Sequence, residues 1–442
     1  MKIIDKFKAN AFFKSVLSVG FGNLVGQLLA VVTVPLLSRI YSVESYGEYG
    51  IIVSTATIII SFATLGLMSA IMVPKDDQES NEIFTAAFWT QFWLSTVFVI
   101  IAIAIIKIYR FHTVRSSYVL SLIIMWFYII LTNLKNILYV SINRKGMNKV
   151  LLLNPIIGAV GNLIIALPLG LLKFGYEGFF IAAIISESIM CVQMMIKYNP
   201  MIWSFGAKKY FKIIKKYREY VLFQSPSNLL ETFSGQYPVQ YFSRIFDNVV
   251  LGAYTMCVKL MQYPVMLLAQ PISTVYFRTA TEYRRDGKNL ADFTFKMITR
   301  ILLVAFLPTV IVIFWGKPLF TFVLGEKWGE AGALSSILIY QYVLYFCSKC
   351  ISYCRVVLGR QKTNFVFNII NLAVSMISCV VGYMVFHSLI GTVAIFSASK
   401  CLLQIADITL DFKCMKKNTL KFVMFIAIYS VLIIIMLIFK LS

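Results

Sequence analysis

Long polar stretches are missing from this sequence, in which 59% of the residues are hydrophobic and only 14% are charged. The longest polar connection runs from about residue 197 to residue 218, so no soluble domain is available for separate chemistry. Apolar runs of about 20 residues recur instead. Each run can cross a hydrocarbon layer about 30 Å thick, whereas a membrane strand needs only about ten alternating residues. The sequence therefore predicts an all-α polytopic membrane protein.

Histidine is almost absent, with only His112 and His387, and the acidic residues do not cluster. The G-x-x-x-x-G-K-[ST] motif that cradles ATP phosphates is absent from the sequence as well. We therefore predict no catalytic residues, no metal site and no cofactor, and we do not expect an enzyme. Cys347, Cys350 and Cys354 share one apolar run without a nearby histidine, and we interpret them as inert small side chains.

Hydropathy predicts about thirteen spans. They lie near 12–40, 45–73, 83–107, 117–142, 149–173, 176–197, 218–243, 248–277, 292–316, 331–357, 362–386, 389–411 and 419–440. With the N-terminus in the cytoplasm, basic connections such as "SINRKGMNK", "KKYFKIIKKYREY" and "FRTATEYRRDGK" fall on the cytoplasmic side. Loop lysines and arginines then favour that side by about three to one. Membrane topology thus accounts for the net charge of +22, and we expect no nucleic-acid partner.

Two halves of the chain share short matching segments. The matched positions are Asn23 with Asn228 and Arg39 with Arg244, both separated by 205 positions, and Lys135 with Lys349, separated by 214. A longer loop after the eighth span accounts for the larger spacing. Because each copy holds an even number of spans, both copies face the same way across the membrane. The sequence therefore predicts an internal duplication.

The duplication predicts two pseudo-symmetric six-helix bundles and one additional C-terminal helix. The predicted domains are residues 1–200, 217–412 and 413–442. Transporters built from such parallel repeats bind their substrate where the repeats meet, near the middle of the membrane. We therefore expect the substrate site between the two bundles.

Four lysines lie well inside predicted spans and are candidates for contacts with an anionic substrate: Lys135, Lys259, Lys349 and Lys400. A charge at mid-bilayer costs at least about 2.5 kcal/mol, so such groups usually face a bundle interior or a wet cavity. Lys135 and Lys349 can alternatively extend to the cytoplasmic head groups. Lys400 can alternatively be neutralised by Asp407 or Glu187. Arg39 and Arg244 either reach the outer head groups or form guanidinium forks for phosphate at the outer mouth.

The seventh span, "FQSPSNLLETFSGQYPVQY", is unusually polar. Gln224, Asn228 and Glu231 recur at i, i+4 and i+7 and share one helix face, while Pro226 and Pro238 permit bending. We interpret it as a water-lined moving helix; hydrogen bonding inside a static bundle is the alternative. The predicted cavity lining comprises Asn23, Gln27, Gln224 and Asn228, and the candidate ion-coupling carboxylates are Glu231, Glu187 and Asp407.

The segment "SRIYSVESYGEYG" followed by "MVPKDD" resembles the O-antigen and capsule repeat-unit flippases, a polysaccharide biosynthesis family of the multidrug/oligosaccharidyl-lipid/polysaccharide exporter superfamily. "YPVQYFSRIFDNVVLGAY", "GEKWGEAG" and "VLGRQK" extend the resemblance over nearly the whole chain. Two features depart from the family pattern: Val43 stands where proline is usual, and one span exceeds the common twelve.

The resemblance implies a MATE-like fold and a flippase in the bacterial cytoplasmic (inner) membrane. Such a flippase moves undecaprenyl-pyrophosphate-linked oligosaccharide, the precursor of lipopolysaccharide O-antigen, capsule or a related polysaccharide, to the outer leaflet by ion-coupled alternating access. The implied partners are this lipid-linked oligosaccharide, membrane lipids, a polysaccharide polymerase and a chain-length regulator. The alternatives are a cation-coupled multidrug or metabolite antiporter, a lipid II flippase and, from a different class, a membrane polysaccharide polymerase.

Overall fold

The computed structural model describes residues 22–108, 117–203, 205–358, 360–415 and 420–441. Within these ranges the chain forms thirteen long helices and no β-strand, as the apolar runs predict. The helices are α1 Gly22–Ile40, α2 Val43–Ala63, α3 Asp77–Ile108, α4 Ser117–Arg144, α5 Asn148–Leu171, α6 Gly175–Lys197, α7 Ser225–Phe242, α8 Asn248–Arg285, α9 Leu290–Leu324, α10 Gly329–Cys350, α11 Gln361–Phe386, α12 Leu389–Cys414 and α13 Leu420–Leu441. Residues 12–21 of the first predicted span lie outside the described residues.

Twelve of these helices are long and apolar enough to cross a membrane, and the chain is therefore a multi-pass membrane protein. Helix α7 is the long helix that falls outside this set, because its 18 residues include many polar side chains. A π-helical turn, Tyr220–Gln224, precedes α7, and Pro238 lies inside it. Helix α7 thus combines the polarity and the irregular backbone that the sequence predicts for the seventh span.

The helices that begin at matched positions, α2 and α8, are capped in the same way. The Ser42 side chain accepts from the Ser45 backbone N–H at the start of α2, over 3.1 Å. Asp247, 205 positions later, accepts from the Val250 backbone N–H at the start of α8, over 2.8 Å. Val43 occupies the first turn position of α2, where proline is favoured but not required, so the departure from the family pattern is compatible with the fold.

Two predicted spans run past the ends of their helices, whereas the spans predicted at 248–277 and 292–316 stop eight residues before the ends of α8 and α9. The predicted span 45–73 ends at Ala63, because Leu65 and Gly66 adopt φ values of 47° and 73° before a short helix, Leu67–Ala70. The predicted span 331–357 ends at Cys350, and a separate short helix, Cys354–Val357, follows it. Both interruptions are flanked by apolar residues, so hydropathy does not reveal them.

The chain divides into two compact units, residues 1–236 and 237–442. In the first unit the buried side chains of Phe84 on α3, Leu138 on α4 and Leu151 on α5 belong to one apolar cluster. In the second unit the corresponding cluster includes α8, α9, α10 and α12, and Tyr429 and Ile433 of α13 are buried in it. Helix α13 is therefore packed into the second unit. The predicted domain limits remain predictions.

The connection before α7 contains a basic helix, Ala207–Lys216, which packs on α3. The Tyr210 hydroxyl lies 2.9 Å from Thr90 Oγ1, and the Tyr217 hydroxyl donates to Glu79 Oε1 over 2.9 Å. Burial, together with that carboxylate, raises the pKa of Tyr217 to about 12. These contacts fix the basic connection to the first unit.

Candidate functional site

A buried ion pair joins α4 to α6 in the first unit. Lys135 Nζ donates to Glu187 Oε1 over 2.8 Å, and the two side chains are only 23% and 11% exposed. The second carboxylate oxygen, Glu187 Oε2, is buried without a hydrogen-bond partner. The structure thus brings together one candidate substrate lysine and one candidate coupling carboxylate. Lys135 is held inside the unit by this carboxylate in this structure.

A polar pocket of about 200 Å³ also lies in the first unit. It is formed by the end of α2, the following turn and short helix, one face of α4 and the middle of α7. The lining residues are Ile60, Ser61, Thr64, Gly66, Met68, Ser69, Asn133, Asn136, Asn228, Glu231 and Thr232. Asn228 Oδ1 accepts from Gln224 Nε2 over 2.8 Å. Asn228 and Glu231 of the polar face predicted for α7 thus line this pocket, whereas Gln224 is not among its lining residues.

The α4 side of this pocket was not predicted from the sequence. Asn133 is 2% exposed, and its Nδ2 atom is buried without a hydrogen-bond partner. Asn136 lies three residues further along and lines the same pocket. The signal was present in "TNLKN", where the two asparagines flank Lys135 at helical spacing.

The two predicted polar residues of α1 lie elsewhere in the first unit. Asn23 Nδ2 donates to the Tyr139 hydroxyl over a long 3.4 Å, and Gln27 Oε1 is buried without a hydrogen-bond partner. Helix α1 approaches α5 closely here, since a Cβ atom on Gly26 would lie 2.7 Å from Pro155 Cβ. Neither Asn23 nor Gln27 is among the residues that line the pocket described above.

In the second unit the buried charges form a different network. Arg355 contacts Asp407 and donates from Nε to Asp411 Oδ1 over 2.8 Å, and the Ser348 hydroxyl donates to Asp407 Oδ2 over 2.8 Å. Burial alone would lower the pKa of the Arg355 guanidinium, but the attraction of the two aspartates outweighs it and raises that pKa. Arg355 was not predicted as a site residue, because arginine is common at the cytoplasmic end of a span.

The remaining candidate lysines occupy separate positions in the second unit. Lys400 is buried and donates to Asn371 Oδ1, while its proposed neutralising partner Asp407 is engaged by Arg355. Lys349 lies in the last turn of α10, with Nζ 5.2 Å from the centroid of the Tyr345 ring. Lys259 is half-buried on α8.

The matched lysines differ in their position along the helix. Lys135 is followed by nine more residues of α4, whereas α10 ends one residue after Lys349. The two predicted outer arginines, Arg39 near the end of α1 and Arg244 just after α7, are both exposed. Among the described residues, no group of three or more His, Cys, Asp and Glu side chains is arranged to hold a metal ion.

The chain belongs to the polysaccharide biosynthesis protein family, because the model of that family matches residues 36–333, more than half of its length. This confirms the family that the sequence resembles. No curated protein matches the chain.

Several solved structures share its fold. The lipid II flippase MurJ, in an inward closed conformation, is 16% identical with a TM-score of 0.70, covering 96% of this chain and 98% of that one. An inward-facing MATE-family multidrug resistance transporter of the MOP superfamily is 14% identical with a TM-score of 0.65, covering 92% and 96%. A MOP-superfamily transporter from Pyrococcus furiosus is 13% identical with a TM-score of 0.56, covering 92% and 97%. The predicted MATE-like fold is confirmed.

Proposed function

We propose that this protein is a flippase for undecaprenyl-pyrophosphate-linked oligosaccharide repeat units, the precursors of O-antigen, capsule or a related surface polysaccharide. It acts in the bacterial cytoplasmic membrane with a cytoplasmic N-terminus and delivers its substrate to a polymerase and a chain-length regulator. The family, the fold shared with MurJ and the intramembrane lysines support this proposal. Translocation proceeds by ion-coupled alternating access.

The observation that carries the proposal is the Lys135–Glu187 pair. A lysine inside the membrane suits the pyrophosphate of the substrate, and the carboxylate holds it while no substrate is bound. When Glu187 takes up a proton, its attraction for Lys135 is lost, and the ammonium group becomes available to phosphate. Proton binding and anion binding thereby favour one another. The same pair thus supplies both a substrate contact and a coupling device.

Among the three candidate coupling carboxylates, Glu187 fits this role best. It is bonded to a candidate substrate lysine, and its Oε2 atom is free to accept a proton or a donor. Asp407 is engaged by Arg355 and Ser348. Glu231 lines the polar pocket. We therefore assign coupling to Glu187 and a different role to Glu231.

Deletion of the protein tests the substrate class in cells. Lipid-linked repeat units should remain in the inner leaflet, and surface polysaccharide should fall. Reconstituted vesicles test the coupling: because proton and anion binding favour one another, a proton gradient directed from the loaded leaflet towards the far leaflet should accelerate exposure of extracted lipid-linked oligosaccharide there, and Glu187→Gln should remove that acceleration. Glu282→Gln, at an exposed i,i+4 pair with Arg278, is the matched control. Unchanged surface polysaccharide after deletion would contradict the proposed substrate.

Lipid II is a second candidate substrate, favoured by the fold shared with MurJ. Its pyrophosphate end presents the same chemistry to Lys135, so only the sugar portion distinguishes the two lipids. Including lipid II in the vesicle assay separates them, since faster transport of lipid II than of the extracted oligosaccharide lipid would reverse the assignment. Organic cations test the antiporter alternative in the same vesicles.

A further inference from the structure

The polar pocket in the first unit has a wall of amides. Asn133 and Asn136, three residues apart on α4, line one side, and Asn228 of α7 lines the other. The pocket owes its shape to the interruption after α2, where Gly66 adopts φ 73°. A Cβ atom there would lie 2.6 Å from the Tyr220 carbonyl oxygen, so the interruption packs directly against the π-helical turn before α7. The backbone at the interruption after α2 and at the π-helical turn before α7 therefore shapes the pocket.

Asn133, one of the residues that line this pocket, has a side-chain donor without a hydrogen-bond partner. Its Nδ2 atom is buried without a hydrogen-bond partner, although buried amide groups in folded proteins nearly always have one. Asn154, an equally buried asparagine of the same unit, shows the ordinary situation. Its Nδ2 atom donates to the Met190 carbonyl oxygen over 3.2 Å and to Gln193 Oε1 over 3.0 Å. The unpartnered donor of Asn133 therefore indicates a ligand that supplies an acceptor.

The lining residues restrict the chemistry of that ligand. An anion is disfavoured, because Glu231 is the one charged residue among them. A bare cation is disfavoured as well, since the Asn133 donor repels it and Asn228 Oδ1 is already engaged by Gln224. A neutral hydroxyl group both donates and accepts, which suits an amide donor and a carboxylate acceptor together. The lining thus fits a polyhydroxylated ligand.

The size of the pocket limits how much of such a ligand enters. Sites for drug-sized molecules measure roughly 300–1,000 Å³, and this pocket has about 200 Å³. It accommodates one sugar ring and not a whole repeat unit. The apolar side chains of Ile60 and Met68 offer contact to the C–H face of such a ring.

We propose that this pocket binds one neutral sugar residue of the lipid-linked oligosaccharide, with Asn133 donating to a sugar hydroxyl and Glu231 accepting from another. This inference rests on the proposed flippase function and adds to it a site that recognises the sugar separately from the pyrophosphate. Asn136, Asn228 and Thr232 complete the polar rim. Selection among lipids with the same pyrophosphate end then depends on this pocket.

A binding experiment with two lipids tests the subsite. The full-length protein in lipid nanodiscs is titrated with undecaprenyl pyrophosphate and with lipid-linked oligosaccharide extracted from cells that lack the protein. Wild type should bind the oligosaccharide lipid about tenfold more tightly, the effect of about one good hydrogen bond to a charged or buried group. Asn133→Ala should reduce that ratio to about two or less and leave the affinity for undecaprenyl pyrophosphate unchanged.

Asn154→Ala is the matched control, because it removes a buried asparagine that has both partners. It should lower the melting temperature and keep the tenfold ratio, whereas Asn133→Ala should melt close to wild type. Asn136→Ala, at a less buried position, provides a second test if Asn133→Ala does not fold. Equal binding of both lipids by wild type would overturn the subsite and leave the flippase standing. Failure to bind either lipid would contradict the proposed function itself.

Discussion

The two units use related helix pairs, α4 with α6 and α10 with α12, but bury their charges differently. Lys135 has its counterpart in Lys349, 214 positions later, yet the position equivalent to Glu187 is occupied by Cys401. In the second unit the buried acids are Asp407 and Asp411, whose counterparts in the first unit are Gln193 and Lys197. Arg355 corresponds to Ser141. The matched helices of the two units therefore carry different buried charges.

We interpret this difference as separating a pair that exchanges partners during transport from a network that stabilises the fold. The side chains of Arg355, Asp407 and Asp411 are 6%, 12% and 7% exposed, and Arg355 makes several hydrogen bonds to them and to Asn364. Lys135 is more accessible, and its partner Glu187 has an oxygen left without a hydrogen bond. A fully bonded network resists rearrangement, whereas a partly satisfied pair can exchange partners. We therefore assign stability to the network of the second unit and coupling to the pair of the first.

The largest expected effect follows from removal of Arg355. Arg355→Leu leaves Asp407 and Asp411 buried without their counter-charge and should destabilise the protein by about 3–5 kcal/mol. Thermal melting of the purified protein in detergent measures this. Arg278→Gln, at an exposed pair with Glu282, should change stability by less than about 1 kcal/mol. Equal melting temperatures for the two variants would show that the Arg355 network is dispensable.

A smaller effect on stability is expected at the Lys135–Glu187 pair. Lys135→Gln and Glu187→Gln should each cost about 1–3 kcal/mol, because each leaves a polar or charged group without its partner. The double variant should recover most of that loss, since no charge then remains buried. Lys135→Gln and the double variant should translocate at least about tenfold more slowly, as one lost phosphate contact implies, whereas Glu187→Gln should lose the acceleration by a proton gradient.

The corresponding experiment in the second unit should not show such recovery. Asp407→Asn combined with Arg355→Leu still leaves Asp411 without its guanidinium partner. Normal translocation by the Lys135→Gln/Glu187→Gln double variant would refute a role of the pair in transport.

The two matched lysines are tested together. Lys135→Gln combined with Lys349→Gln should impair translocation more than expression. Normal translocation by this variant would leave only an anchoring role for the two lysines.

Most of the fold followed from hydropathy, because a membrane span requires a long apolar run and the thirteen predicted runs all contain a long helix. The interruption at Leu65 and Gly66 could not be predicted in this way. Its residues are apolar on both sides, and hydropathy does not report the φ values of 47° and 73° that Leu65 and Gly66 adopt. The end of α10 at Cys350 was not predicted for the same reason.

The candidate site was predictable only in part. The i, i+4, i+7 spacing on α7 placed Gln224, Asn228 and Glu231 on one face, and two of these three residues, Asn228 and Glu231, line the pocket. It does not reveal which face of another helix is opposite. Asn133 was therefore missed, and Glu187 was recognised as an acid without Lys135 as its partner.

The smallest expected effect concerns the residue where the two matching segments differ, "RIY" in the first unit and "RIF" in the second. The Tyr41 hydroxyl donates to the Ala166 carbonyl oxygen over 2.7 Å, and its ring stacks on Phe179 at 3.9 Å. Its counterpart Phe246 packs edge-on against Tyr383 and has no hydroxyl to donate. Tyr41→Phe should therefore cost about 1 kcal/mol, measured as a lower melting temperature at neutral pH.

The pH dependence of that difference provides the contradicting outcome. Burial raises the pKa of Tyr41 to about 12 from an ordinary value of 10.0. The unfolded chain therefore releases this proton at a lower pH than the folded chain, so wild type loses the contribution of Tyr41 as the pH rises from about 10 to about 12. The melting temperatures of wild type and Tyr41→Phe should converge across this window. A constant difference in melting temperature would show that the Tyr41 hydroxyl is not buried against Ala166. The two units would then be more alike at this position than their sequences indicate.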